Sequence, residues 1–237
     1  MARTKIAIEV KRDGVTQAIK TAARQQMREQ GTASISLRGI ARELDITAPA
    51  LYRYYPDRNT LITDLILDAF NGLADAVETA DQAVNPIHYA ERMFAAVIAY
   101  RQWAVDHAVD YLLIYGTPIP GYEAPREQTV PAMQRTVLPF GGILYDASKA
   151  GILNIPPEAL IDDPEIRAHF EEIARTDDVQ VPYLIVSITI DLWYRLYGLV
   201  MLEILGHSPP TVKKAREFYL IKIRQMLKDM NLLPDNF

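Results

Sequence analysis

Apolar residues recur along the first seventy positions at intervals of three and four, the spacing of one face of an α-helix. Ala18, Ile19, Ala22, Ala23 and Met27 form the first such stripe, which predicts a helix opened by Thr16 and ended by Gly31. Ser36 then stands where an N-cap belongs, ahead of LRGIAREL, in which Leu37, Ile40, Ala41 and Leu44 make one apolar face. The three residues Asp45, Ile46 and Thr47 form a tight turn, with Asp45 where the chain must reverse. A short helix over 48–55 follows, with Thr47 as its cap and Pro49 in its first turn, because Pro56 removes a backbone donor and stops it. Asp57 caps the next, longer helix, where Leu61, Leu65, Ile66, Ala69, Phe70 and Leu73 repeat at three and four.

From about residue 63 the pattern stays helical with one interruption. His88 to Tyr115 carries Phe94, Val97, Ile98, Trp103, Val105, Leu112 and Leu113. Prolines crowd 116–164, so helices there are expected to be short and joined by extended pieces. Tyr183 to Leu205 is an almost unbroken apolar helix closed by Gly206, and an amphipathic helix over about 212–230 ends the pattern. Short apolar runs such as 184–190 leave helix and strand open, but the reading as a whole is all-α: a three-helix N-terminal domain over 1–62 and a larger helical domain over 63–237.

The second of two helices joined by a three-residue turn is well placed to read a DNA groove. Leu37, Ile40, Ala41, Leu44, Ile46 and Leu51 would hold the pair at its crossing angle. The other faces of ITAPALYRYYPDR, rich in Tyr and Arg, would then be free to meet something outside the fold. Charge sharpens this picture. The 237-residue chain has a net charge of −5, which alone argues against a nucleic-acid partner. Residues 1–60, however, hold 11 Lys and Arg against 6 Asp and Glu, a net +5, while the remainder holds 14 against 24, a net −10.

Composition adds mainly exclusions. Hydrophobic residues at 49% suffice for a sizeable core, and zero cysteines exclude disulfides and thiolate chemistry. The N-terminus has no signal-like apolar run and no segment approaches about 18 uncharged apolar residues, so a cytoplasmic protein without membrane spans is expected. The four His residues are widely separated and no metalloprotease, nucleophile-elbow or phosphate-loop motif occurs, which leaves no enzymatic constellation and no cofactor to expect.

The run SLRGIARELDITAPALYRYYPDRNTLITDLI closely resembles the DNA-binding module of the TetR/AcrR-like transcriptional regulators over about residues 15–70. Asp45 replaces the usual Gly of that pattern, and Tyr55 the commoner Phe. The run DLWYRLYGLVMLEILGH at 191–207 is similar to the penultimate helix of one branch of the family, with Tyr197 where His is usual. The resemblance implies a homodimer through the last two long helices and a double-stranded operator as partner. It implies operator contacts from Arg38, Thr47, Ala48, Pro49, Ala50, Tyr52, Arg53, Tyr54 and Arg58. Thr47, Tyr52, Tyr54, Arg38 and Arg58 would reach phosphates, Arg53 could take a guanine in bidentate fashion, and the small residues would lie near thymine methyls. Tyr55 is assigned to packing, while Arg3, Lys5, Lys11 and Arg12 could equally form a minor-groove arm or a solvated tail.

The resemblance also implies a pocket for a small-molecule effector. Tyr100, Trp103, His107 and Tyr111 share helical spacing with Ile114, and with Trp193 and Tyr197 they are the candidates to line it, although core packing explains the same stripe. The expected function is a repressor released from a pseudo-palindromic operator by an apolar or aromatic ligand. Two alternatives remain at this level: a DNA-binding activator or partner-controlled regulator without such a ligand, and a helical interaction module that has lost DNA binding.

Overall fold

The computed structural model describes residues 2–155, 157, 160–175, 181–207 and 212–233, with side chains described from residue 13 onward. Eleven α-helices and no strand occur among the described residues, so 184–190 resolves as helix. Two compact units emerge. One comprises residues 1–71 and 107–132, the other 72–106 and 133–237.

In the first unit α1 (Ala2–Gln30) is longer than the sequence predicts, and Thr16 lies within it rather than at its start. The preceding residues are mostly Lys, Arg, Glu, Ala and Ile, which tolerate a helix, and the single Gly14 costs only about 1 kcal/mol there. Arg3, Lys5, Lys11 and Arg12 fall on these first turns, and their side chains lie outside the described residues. The chain leaves α1 at Gly31, whose φ of 90° suits glycine, and makes a 3-10 turn over Thr32–Ser34. It then enters α2 (Leu37–Glu43) and α3 (Ala48–Tyr52). The helix α4 (Arg58–Gln82) buries Leu61, Ile62, Leu65, Ile66, Ala69 and Phe70 in this unit. The same unit takes back α6 (Ala108–Tyr115), which packs on α1 and on the 3-10 turn. Tyr111 is fully buried there with its ring edge-on to Tyr115, and Tyr115 is edge-on to Phe70.

In the second unit α5 (Tyr89–Asp106) and α8 (Leu138–Lys149) pack together, and α10 (Tyr183–Ile204) lies against both as well as against α9 (Pro164–Ile173). The last helix, α11 (Ala215–Asp229), packs on α5. Met93, Val97, Tyr100, Phe140, Leu144, Leu192, Leu196, Val200 and Tyr219 supply the core. Gly72 admits the Trp103 indole, since a Cβ there would stand 3.2 Å from its ring nitrogen. The proline-rich stretch behaves as its composition requires. Pro139 sits in the first turn of α8, and α7 (Arg126–Arg135) takes Pro131 in its interior, where it forgoes one backbone bond of a short helix.

Two expectations need correction. The stripe from Tyr100 to Ile114 is not one helix, because the backbone leaves helical geometry at His107 (φ −119°, ψ 43°). Tyr100 and Trp103 therefore belong to α5, and Tyr111 and Ile114 to α6. Nor is the chain without a segment of membrane-spanning size: α10 is long and apolar enough by length and composition. Asp191, Arg195 and Glu203 lie within it and its contacts are with α5, α8 and α9, as befits the core helix of a bundle.

Candidate DNA-binding surface

The geometry of the α2–α3 pair follows from three local contests that side chains win. Ser36 Oγ accepts from the Gly39 amide at 3.2 Å and so opens α2. Thr47 Oγ1 accepts from the Ala50 amide at 3.3 Å and opens α3. Asp57 accepts from the Thr60 amide at 2.7 Å and from its hydroxyl, which fixes the start of α4 and holds the Asp57 carboxyl below its ordinary pKa. Between α2 and α3, Asp45 adopts φ 51°, the left-handed conformation that reverses the chain. The helix α3 ends at Tyr52, earlier than the expected 55, and residues 53–54 continue as a turn into Pro56.

Leu37, Ile40, Ala41 and Leu51 are buried, while Leu44 and Ile46 of the expected small core are half-buried. With Leu51 facing inward, the remainder of α3 faces out. Thr47, Pro49, Tyr52 (42% exposed) and Arg53 are exposed, Ala48, Ala50 and Tyr54 are half-buried, and Arg38 is exposed on α2. Because Thr47 Oγ1 only accepts in its cap, its hydroxyl proton remains able to donate outward. Tyr55 is different. It is buried and its hydroxyl donates to Asp64 at 2.5 Å, so burial and the facing carboxylate push its pKa up. Arg58 is also engaged inside the fold, donating from Nε to the Ile35 carbonyl at 3.0 Å and from Nη2 to the Ala33 carbonyl at 2.9 Å.

An ion-pair network that sequence reading missed braces this surface from behind. Lys20, 6% exposed, lies 3.0 Å from Asp64 and 2.9 Å from Asp68. Arg24 contacts Asp68 and donates from Nε to both oxygens of the buried Asp110 at 2.8 and 3.0 Å. The available signal is faint: Lys20 and Asp110 are charged residues beside apolar ones on amphipathic helices, but nothing in the sequence pairs residues that far apart.

The six effector-pocket candidates fall into both units. In the second, Tyr100 is buried edge-on to Phe140 at 6.2 Å, Trp103 is half-buried, and the Trp193 and Tyr197 rings lie 5.8 Å apart on α10. In the first, His107 is exposed just ahead of α6 and Tyr111 is buried. A groove of about 310 Å³ between α10 and α11 is lined by Arg195, Leu199, Lys222, Ile223, Gln225, Met226 and Asp229, none of which is among the six. No group of three or more His, Asp or Glu residues that could hold a metal ion occurs among the described residues.

A capped helix pair with a tight turn, an apolar seam and an outward Thr, Tyr and Arg face defines a helix-turn-helix DNA-binding protein. The comparisons with known proteins agree. Residues 19–65 match the family model for bacterial regulatory proteins of the tetR family, and residues 93–226 match the tetracyclin repressor-like C-terminal domain. The chain belongs to the tetR family. It is 32% identical over 203 residues to the HTH-type transcriptional regulator Rv1816 of Mycobacterium tuberculosis and to Mb1846 of Mycobacterium bovis, covering 82% of this chain and 82% of each relative. The crystal structure of the regulatory protein SCO4313 matches with a TM-score of 0.74 and 28% identity over 93% of this chain and 98% of that one. A protein of unknown function from Rhodococcus sp. RHA1 shares the fold, with a TM-score of 0.68 at 20% identity over 91% of this chain and 95% of its own. The protein is thus a DNA-binding transcriptional regulator and not an enzyme.

Proposed function

We propose that the protein is a homodimeric cytoplasmic repressor that leaves a pseudo-palindromic operator when a small apolar or aromatic molecule binds its larger helical domain, with the DNA-binding domain ending near residue 62. The observation that carries the reading is the outward face of α3, where Thr47, Pro49, Tyr52 and Arg53 are exposed while Leu51 anchors the helix. Arg53 reads a guanine edge. Thr47, Tyr52, Tyr54 and Arg38 hold phosphates, and Ala48, Pro49 and Ala50 allow close approach to thymine methyls.

Dimerisation is supported by apolar side chains left uncovered on the last two helices. Tyr194 (61% exposed), Leu202 and Leu205 belong to α10 or its end, and Phe218 and Ile221 (56% exposed) to α11. Faces of this kind usually meet a partner. Two-fold symmetry in the protein then imposes two-fold symmetry on the site it reads. An effector pocket is supported by the aromatic content of α5 and α10 in the second unit, with Tyr100, Trp103, Trp193 and Tyr197 as the candidates for its wall. Operator binding and effector binding weaken each other by the same factor, commonly about 1–3 kcal/mol.

The test is selection of duplexes from a randomised library by the purified protein, followed by binding measured against salt and sedimentation of the complex. A palindromic selected site, a dimer on it, and a steep loss of affinity with salt are expected. Selection of no duplex, or binding insensitive to salt, would leave a helical interaction module instead. Native mass spectrometry of the protein as purified addresses the effector: a dimer with a bound small molecule supports the pocket, and equal ligand affinity of the free and DNA-bound protein overturns release by ligand.

A further inference from the structure

The start of α4 and the start of α2 are tied together by one side chain. The Arg58 guanidinium donates to two carbonyls on either side of Ser34, those of Ala33 and Ile35, at 2.9 and 3.0 Å. These carbonyls belong to the 3-10 turn and to the residue just before the Ser36 cap, where no helical partner is available for them. From the other side, Gln26 of α1 accepts from the Ser36 amide with Oε1 at 2.9 Å. Gly39 permits this, since a Cβ there would stand 2.9 Å from Gln26 Nε2. The entry to α2 is therefore clamped between α1 and α4, and α2 carries Arg38 and hands on to the turn that aims α3.

We propose that Arg58 acts in operator recognition as a positioning residue, holding the entry of α2 through the Ala33 and Ile35 carbonyls instead of contributing a phosphate contact of its own. This rests on the DNA-binding reading of α2 and α3. The planar fork of the guanidinium suits two carbonyls that diverge from one backbone turn; an ammonium carries the same charge but not the fork. A phosphate contact and a clamp thus respond differently to Arg58→Lys. A contact keeps most of its Coulomb attraction. A clamp loses its geometry.

The experiment compares wild type, Arg58→Lys and Arg58→Ala on the duplex that wild type selects from a random library, with affinity taken across a range of salt. Hydrogen exchange of the amides at 36–40 in the DNA-free proteins is the companion measurement. The expected result is that Arg58→Lys weakens binding roughly tenfold, nearly as much as Arg58→Ala, with the wild-type salt slope retained and faster exchange at 36–40. Wild-type affinity in Arg58→Lys together with a salt slope in Arg58→Ala reduced by about 0.9 per protomer would overturn the proposal in favour of a phosphate contact. Unchanged exchange at 36–40 in Arg58→Lys would overturn it without reference to DNA, so it separates failure of the clamp from failure of the operator reading, which wild type alone reports.

Discussion

Arg101 is 8% exposed, and its guanidinium is paired inside the fold: Nε donates to Glu203 at 2.9 Å, Nη2 donates to the other carboxylate oxygen, and the Tyr219 ring lies 5.7 Å from its central carbon. Tyr219 in turn donates to the Val97 carbonyl at 2.6 Å. Removing one partner of a buried pair leaves the other charge without compensation, which is more damaging than never having built the pair. Glu203→Ala should therefore lower unfolding free energy by about 3 kcal/mol in urea titrations, and the double change Arg101→Leu with Glu203→Leu should recover much of it. Asp57 makes a prediction in pH. Its carboxyl is lowered chiefly by the Thr60 amide, so the charged form is favoured in the folded state and its contribution is present at neutral pH. That contribution is lost as pH falls through the lowered pKa. The stability gap between wild type and Asp57→Ala, about 1 kcal/mol at pH 7 for a cap, should shrink as the pH is taken below the usual carboxylate range.

Among the elements, the turn between α2 and α3 is the most exacting. Asp45 holds φ 51° without the freedom of glycine, and a β-branched side chain could not follow. Asp45→Val should cost about 1–2 kcal/mol and reduce duplex binding with it, whereas Asp45→Gly should leave both nearly unchanged; thermal melts and binding isotherms on the same preparations decide this. The caps at Ser36, Thr47 and Asp57 were legible in the sequence because each is decided within four residues by a side chain competing for a backbone group, and the reversal at Asp45 because Asp tolerates the left-handed conformation that so short a turn requires. The break at His107 was not legible. Residues on both sides of it favour helix, and periodicity continues across it. The early start of α1 is hidden for the opposite reason: Thr16 resembles a cap, and only the helix-tolerant residues ahead of it argue otherwise.

For the molecule as a whole, the outward residues of α3 could be named from the chain, but what supports them could not. Lys20 with Asp64 and Asp68, and Arg24 with Asp110, join residues 44 to 86 positions apart. Arg58 shows the same limit. Its charge and place suggest phosphate, and only the fold reveals that carbonyls 23 and 25 residues earlier already take two of its donors. A fragment ending at residue 71 lacks α6, and with it the buried Asp110, Tyr111 and Leu113 of the first unit. It should melt well below a chain extended to residue 132, and circular dichroism of the two fragments is the measurement.

That the first unit is made of two separate stretches of chain bears on how such proteins can be recombined. Exchanging DNA specificity between relatives by swapping their first seventy residues would graft a reading head onto a foreign α6, so Arg24 and the residues around Phe70 would face side chains they were never selected against. A chimera that carries 107–132 along with 1–71 keeps those partners together. The seam to cut along is therefore spatial, and it crosses the sequence three times.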